Sequence, residues 1–269
     1  MYRVPLATYR LQFNAQFTFD DARRIAGYLA RLGVSDVYAS PILKARKGST
    51  HGYDVVDANT LNPDLGSDDD FNALHEELQR QQLGFLLDIV PNHMAATAEN
   101  AWWMSVLENG PQSRFSSYFD IDWNHKKFDG KIMAPFLGAP LDETVEKGDL
   151  KLIRQNGKIF LNYFDLNFPV NRPSTDQLLV PDDQDGLDKI NSDHPVLRTI
   201  IDKQFYRLCH WQQSDNEINY RRFFTVNGLI CLNTQDRNVF EDYHQSIFSL
   251  VDKEFFRGLR VDHVDGLFL

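Results

Sequence analysis

Near its C-terminal end the chain reads Gly-Leu-Arg-Val-Asp-His-Val-Asp-Gly, from Gly258 to Gly266. Val261 and Val264 supply β-branched apolar packing, while Arg260, Asp262, His263 and Asp265 set charge among them. A buried strand with this sequence carries ions, which are costly unless they are paired or used. In extended backbone, residues i and i+2 face the same side, so the Arg260 guanidinium flanks the Asp262 carboxylate. A cation beside a carboxylate favours its charged form. A charged, oriented carboxylate in a pocket is a nucleophile or an electrostatic stabiliser, and Asp262 is the candidate. The competing reading of this stretch is a surface strand that ends in an Asp-Gly turn.

Two further groups could do chemistry. Asp88-Ile89-Val90-Pro91-Asn92-His93 places an acid, an amide and an imidazole at the end of an apolar run, and the proline makes that end a turn. Polar groups at strand C-termini are where barrel and doubly wound enzymes hold their sites, although Asp and Asn also cap strand ends for structural reasons. His51-Gly52-Tyr53-Asp54 lies in a loop where glycine lets the backbone approach a ligand. Tyr53 offers a flat apolar face with a polar tip, suited to a sugar ring or simply to packing.

The elements that must position these groups follow from periodicity. Ala7 to Phe13 alternates as a strand, and Thr18 opens a helix with Asp21 at the third position. Ala22, Ile25, Ala26, Leu29 and Leu32 repeat at helical spacing until Gly33. Val34 to Ala39 is a second strand, followed by a long polar loop. Ser67 caps a second helix with Phe71, Leu74 and Leu78 inward, and Phe85 to Val90 is a third strand. Between Met94 and Asp193 regularity is lost among scattered aromatics, a stretch too long for a loop and too aromatic for disorder. From His194 helical spacing returns through Leu197, Ile200, Ile201, Phe205 and Leu208, then through Val239, Tyr243, Ile247 and Leu250, before the strand at Gly258. Alternating strands and helices predict a parallel α/β sheet.

Composition narrows the partners. The 269 residues are 42% apolar and 25% charged, with a net charge of -10 and a pI near 5.2. Such an acidic surface argues against nucleic acid and anionic membrane. Cys209 and Cys231 lack metal-ligand spacing and are expected as reduced structural thiols. Met1 to Pro5 lacks a charged-then-apolar leader and no apolar run reaches membrane-spanning length, so a cytoplasmic protein is expected.

Together these stretches resemble the α-amylase clan of glycoside hydrolases. Asp88 to His93 is similar to that clan's first signature, and Gly258 to His263 to its second. The resemblance narrows to the maltooligosyl trehalose synthase family through Ala-Thr-Tyr-Arg-Leu-Gln-Phe from Ala7, Gly-Ser-Thr-His-Gly-Tyr-Asp-Val-Val-Asp from Gly48, Asn100 to Trp103, and Ile-Asn-Tyr-Arg-Arg-Phe-Phe from Ile218. It implies a (β/α)8 TIM barrel, of which the first four β/α steps are present, with an irregular subdomain inserted after the third strand. The expected divisions are residues 1–93 for strands 1 to 3, 94–193 for the insertion, and 194–269 for the return to strand 4.

The activity implied is conversion of the reducing-end α-1,4 linkage of a malto-oligosaccharide to α,α-1,1 by retaining double displacement. Asp262 is then the nucleophile and Arg260 its charge partner. Tyr53, Asp88, His93, His51 and His263 bind substrate. Neither metal nor cofactor is expected, because no acidic loop completes a cage around Asn92. Family members are more than twice as long, and the clan's glutamate general acid and later His-Asp pair have no counterpart before Leu269. The expectation is therefore an N-terminal part, inactive by itself and prone to self-association through uncovered barrel edges. Another amylase-like hydrolase or transferase, or a glucan-binding remnant, stays open beside it.

Overall fold

The computed structural model describes residues 4–171 and 183–267. The chain folds into two units, Met1–Ala95 with Thr234–Leu269, and Ala96–Asn233. The first opens with strand β1 (Thr8–Leu11) and helix α1 (Phe19–Arg31). The Thr18 N–H donates to Asp21 Oδ2 at 2.9 Å while the Asp21 N–H donates back to Thr18 Oγ1 at 3.4 Å, so both orphan donors of the helix start are satisfied. Phe19, Ala22, Ala26 and Leu29 form the buried stripe. Gly33, at φ +88°, ends the run in the left-handed region that side chains avoid. Strand β2 (Asp36–Ala39) follows.

The stretch expected as a polar loop is different. It holds β3 (Leu43–Ala45) paired antiparallel with β4 (Val55–Leu61). Leu43, Ala45, Val55, Val56 and Ala58 are buried, whereas Lys44, Asp57 and Asn59 are not, an alternation too short in the three-residue β3 to stand out from a polar loop. Helix α2 (Asp68–Arg80) has a second capping box between Ser67 and Asp70 and buries Phe71, Leu74 and Leu78. Then come β5 (Gly84–Ile89) and the short β6 (His93–Ala95).

The second unit is made of short elements rather than irregular chain. Asn100 caps α3 (Ala101–Asn109), which seats Trp103 against Phe119 and Tyr220 at ring separations of 5.7 and 6.4 Å. After β7 (Ile132–Leu137) and α4 (Leu141–Glu146), an antiparallel meander runs through β8 (Leu150–Gln155), β9 (Lys158–Tyr163) and β10 (Leu166–Pro169). Residues 172–182, within the expected insertion, lie outside the described residues. Helices α5 (Gln184–Ser192) and α6 (His194–Asp202) precede β11 (Tyr206–His210) and β12 (Leu229–Cys231). Helix α6 buries Leu197, Ile200 and Ile201 as their spacing predicts, but Leu208 belongs to β11, which runs parallel to β7. The return to the barrel expected at His194 falls inside this unit, which extends to Asn233. Cys209 and Cys231 are buried and outside any disulfide.

The chain returns through α7 (Arg237–Asp252), which buries Val239, Tyr243, His244 and Ile247, and ends in β13 (Gly258–Val261). Strands β1, β2, β5 and β13 form one parallel sheet in that order. This is the strand–helix alternation of a (β/α)8 barrel over four strands. One face of the sheet packs an aromatic cluster, with Phe71 5.2 Å from Phe19 and 5.3 Å from Phe255, and Phe85 5.3 Å from Phe256. Among the described residues no helix is long and apolar enough to cross a membrane.

The opposite face carries charge at both ends. At its N-terminal end the buried Asp36 accepts from Ser35 Oγ at 2.6 Å and from Arg257 Nη1 at 3.3 Å. Gly84 sits opposite Asp36 in register, and a Cβ there would lie 1.7 Å from Asp36 Oδ1. Only glycine leaves room for that carboxylate. Gly84→Ala is expected to destabilise the fold by about 3 kcal/mol, since neither the strand backbone nor the paired Asp36 can yield cheaply. Urea unfolding of the variant checks this, and a change below about 0.5 kcal/mol would contradict it.

Candidate active site

At the C-terminal end of the same face, residue alternation brings Tyr38 of β2, Asp88 of β5 and Arg260 of β13 together. Arg260 pairs with Asp88 in the strand register. Asp88 is 1% exposed, and its Oδ2 accepts from the Tyr38 hydroxyl at 2.6 Å and the Tyr53 hydroxyl at 2.6 Å. Arg260 Nη1 donates to Asp88 Oδ1 at 3.0 Å and Oδ2 at 3.3 Å, and the same nitrogen donates to Asp262 Oδ1. Burial pulls the Arg260 pKa down, but the hydrogen bonds and charges of Asp88 and Asp262 outweigh it and raise the value. The Asp262 N–H continues the ladder by donating to the Ile89 carbonyl at 2.9 Å, which fixes that carboxylate just past the end of β13. Its side chain keeps 19% of its surface accessible, so a ligand can reach it.

Tyr53 arrives on a tightly folded loop. Gly52, at φ +80°, passes so close to Pro41 that a Cβ would lie 2.8 Å from its carbonyl oxygen. The buried Asp54 accepts from Ser49 Oγ and faces Arg46 Nε at 3.4 Å and His51 Nδ1 at 3.8 Å, so it braces the loop. His51 is half-exposed, accepts the Tyr53 N–H at 3.0 Å and lies 5.9 Å from the Tyr53 ring. Burial, then the bond to Asp88, pushes the Tyr53 phenol up to about 12. The same two causes, in the same order, raise Tyr38.

His93 is buried beside Asn92, whose Nδ2 lies 3.2 Å from His93 Nδ1. Burial drives its pKa down to about 4, against the opposing pull of the Asp262 charge. Just past the end of β13, His263 takes a left-handed conformation at φ +53°. Its ring lies over Gly266, where a Cβ would come within 2.2 Å of the imidazole and 2.8 Å of Asn92 Oδ1. Asp265 is 82% exposed, with its Oδ1 3.3 Å from His263 Nδ1.

Of the residues singled out in the sequence, Tyr53, Asp88, Arg260 and Asp262 are joined by direct hydrogen bonds, and His93 lies close enough to feel the Asp262 charge. His51 shapes the Tyr53 loop, and His263 packs against the turn beside Asn92. Sequence reasoning missed Tyr38 and Arg10. Arg10 donates to the Tyr53 hydroxyl at 3.2 Å and lies 5.6 Å from the centre of the Tyr38 ring. The available signal was alternation, since Tyr38 follows Asp36 by two positions on one strand.

A parallel β/α sheet with paired carboxylates at its strand ends defines a class, and comparison with known proteins agrees. Residues 25–165 match the model of the α-amylase catalytic domain, and the chain belongs to that family. Within it, similarity along nearly the whole chain is to maltooligosyl trehalose synthases. A putative maltooligosyl trehalose synthase of Mycobacterium tuberculosis (strain ATCC 25618 / H37Rv) is 36% identical over 97% of this chain and 31% of its own. The structure of maltooligosyltrehalose synthase from Arthrobacter ramosus superposes with a TM-score of 0.82 at 36% identity, covering 98% of this chain and 32% of that one. A hypothetical maltooligosyl trehalose synthase of Sulfolobus tokodaii gives 0.78 at 36% identity, with the same coverage. The chain thus spans about a third of the length of these relatives.

The buried imidazole makes a testable pH dependence. His93 binds a proton with a pKa of about 4 when folded and 6.5 ordinarily, so between those values the unfolded chain holds the extra proton. The stability this contributes is complete above pH 6.5 and is lost as the pH falls toward 4. Wild type is expected to lose up to about 3 kcal/mol more than His93→Gln over that window in urea unfolding, and parallel curves would contradict the burial argument.

Proposed function

We propose that this chain carries the nucleophile side of a retaining α-glucan transglycosylase site, which converts the reducing-end α-1,4 linkage of a malto-oligosaccharide to α,α-1,1. The observation that carries this reading is the Arg260 guanidinium shared by Asp88 and Asp262 at adjacent strand ends, in a chain whose relatives, similar along nearly all of its own length and about a third of theirs, are named maltooligosyl trehalose synthases. Asp262 attacks the anomeric carbon while a carboxylic acid protonates the departing oxygen, giving a covalent glycosyl-enzyme and a free glucose. The anomeric hydroxyl of that glucose then attacks, returns its proton to the same acid and releases Asp262.

Arg260 orients Asp262, and Asp88 supports the sugar from the strand. Tyr53 is the stacking platform, and His93, neutral at pH 7 because of its burial, hydrogen-bonds a sugar hydroxyl. The half-exposed His51, 5.9 Å from the Tyr53 ring, and His263, at the turn beside Asn92, are further sugar contacts in this reading. The general acid is neither of the neighbouring carboxyl groups. Every hydrogen-bond partner described above for Asp88 is a donor, and Asp265 is largely exposed with the imidazole of His263 as its neighbour. The 269 residues alone are therefore expected to bind malto-oligosaccharide weakly without turnover, given that general-acid help is worth about 10² to 10⁴ in rate. Two buried cysteines outside any disulfide support a cytoplasmic setting. Strands β1 and β13, the outer members of the sheet, are the edges through which copies would associate.

Two measurements on maltopentaose test the reading. The isolated chain is expected to yield no product, and a monomeric preparation whose turnover disappears in Asp262→Asn would refute inactivity. A chimera with residues 4–267 replacing the matching third of the Arthrobacter ramosus enzyme is expected to consume reducing ends without releasing glucose. Asp262→Asn in that chimera is expected to lower the rate at least about 10³-fold. Rising reducing ends would instead mean hydrolysis.

A further inference from the structure

The segment Ala7 to Phe13 contains two polar side chains, Arg10 and Gln12, for which the proposed chemistry has no use. We propose that Arg10, braced by Gln12, is a positioning residue that fixes the Tyr53 hydroxyl on Asp88 and so sets the angle of the ring on which a sugar stacks. The proposal rests on the reading of Tyr53 as the glucan platform.

Hydrogen-bond chemistry leaves one arrangement. A guanidinium can only donate and a carboxylate accepts, while a phenol has a single proton. With Arg10 Nη2 at 3.2 Å and Asp88 Oδ2 at 2.6 Å, the Tyr53 oxygen accepts from the arginine and donates its own proton to Asp88. The ring is held from two sides and cannot turn without breaking one bond. Gln12 is fixed by the same logic. Its Oε1 accepts from Arg10 Nη1 at 2.6 Å, which leaves Nε2 to donate to the Thr50 carbonyl at 3.1 Å. One arginine thus reaches Tyr53 directly and Thr50 through Gln12, three residues apart on the same loop. The bonds of Ser49, His51 and Asp54 described above stay within the loop or reach Arg46 just before it. They shape the loop but do not fix it to the sheet, whereas Arg10 stands on β1 and ties it there. A lysine could not replace it, because a single ammonium would have to serve acceptors that the planar guanidinium reaches with two nitrogens.

The test uses the full 269-residue chain and the variants Arg10→Met, Arg10→Lys, Tyr53→Phe and the double variant Arg10→Met with Tyr53→Phe. Amide hydrogen exchange is expected to quicken about tenfold at residues 50–54 in Arg10→Met, and only partly less in Arg10→Lys, with α1 and α2 unchanged. Maltopentaose affinity, read by titration calorimetry, is expected to fall about tenfold in Arg10→Met. Adding Arg10→Met to Tyr53→Phe should cost less than it costs the wild type, because the phenylalanine has no hydroxyl to hold and only the brace through Gln12 is left to lose. Unchanged exchange at residues 50–54 overturns the positioning role, as do affinity losses that add. A wild-type chain that does not bind maltopentaose defeats the glucan reading instead, and the exchange arm still decides whether Arg10 holds the loop.

Discussion

One guanidinium stands between two carboxylates, and most of the first unit is arranged so that it can. Asp88 is almost wholly buried, and Arg260 answers its charge while also donating to Asp262. An unanswered carboxylate at that depth would be strongly destabilising. The pairing depends on the parallel alignment of β13 with β5, which puts Arg260 beside Asp88 in register. A slip of one residue would turn Arg260 to the other face and bring Leu259 or Val261 in its place. Tyr38 and Tyr53 then act as neutral donors that share the load on Asp88 without competing for the arginine.

The helices were legible because their ends are chemical. Thr18 with Asp21, and Ser67 with Asp70, satisfy orphan amides in a way that sequence spacing alone announces. The β3–β4 pair was not legible, since β3 is only three residues long, its inward positions and those of β4 include the small Ala45 and Ala58, and the pairing contains register shifts. The second unit hid its elements for a related reason. Its strands are short and paired two or three at a time, and a buried leucine such as Leu208 continues a helical spacing by coincidence after α6 has ended.

The site was legible where charge falls on a strand that should be apolar. Asp88, Arg260 and Asp262 stood out in that way, and Tyr53 and His93 stood out beside a glycine and a proline that mark turns. Tyr38 and Arg10 gave no such signal, because a tyrosine in a strand and an arginine near a terminus are ordinary. Their partners lie on other strands or loops, and only register and loop closure bring them into reach. Asp54 is the opposite case. It stands next to Tyr53 in a motif, yet its bonds brace the loop instead of facing the carboxylate pair.

The last strand is fastened at both ends by ions. Arg257 meets Asp36 at one end and Arg260 meets Asp88 at the other, while Gly258 lies close against Leu86 between them. A strand that follows its neighbour after a short connection inherits its alignment from the length of that connection. Strand β13 has no such guide, because the chain leaves the first unit after Ala95 and rejoins it at Thr234. Two arginines spaced three apart, matched to two aspartates on the sheet, act as a key that fits in one alignment only. Which side chain lies beside Asp88 is thus written into the strand itself, whatever the length of the path that leads to it.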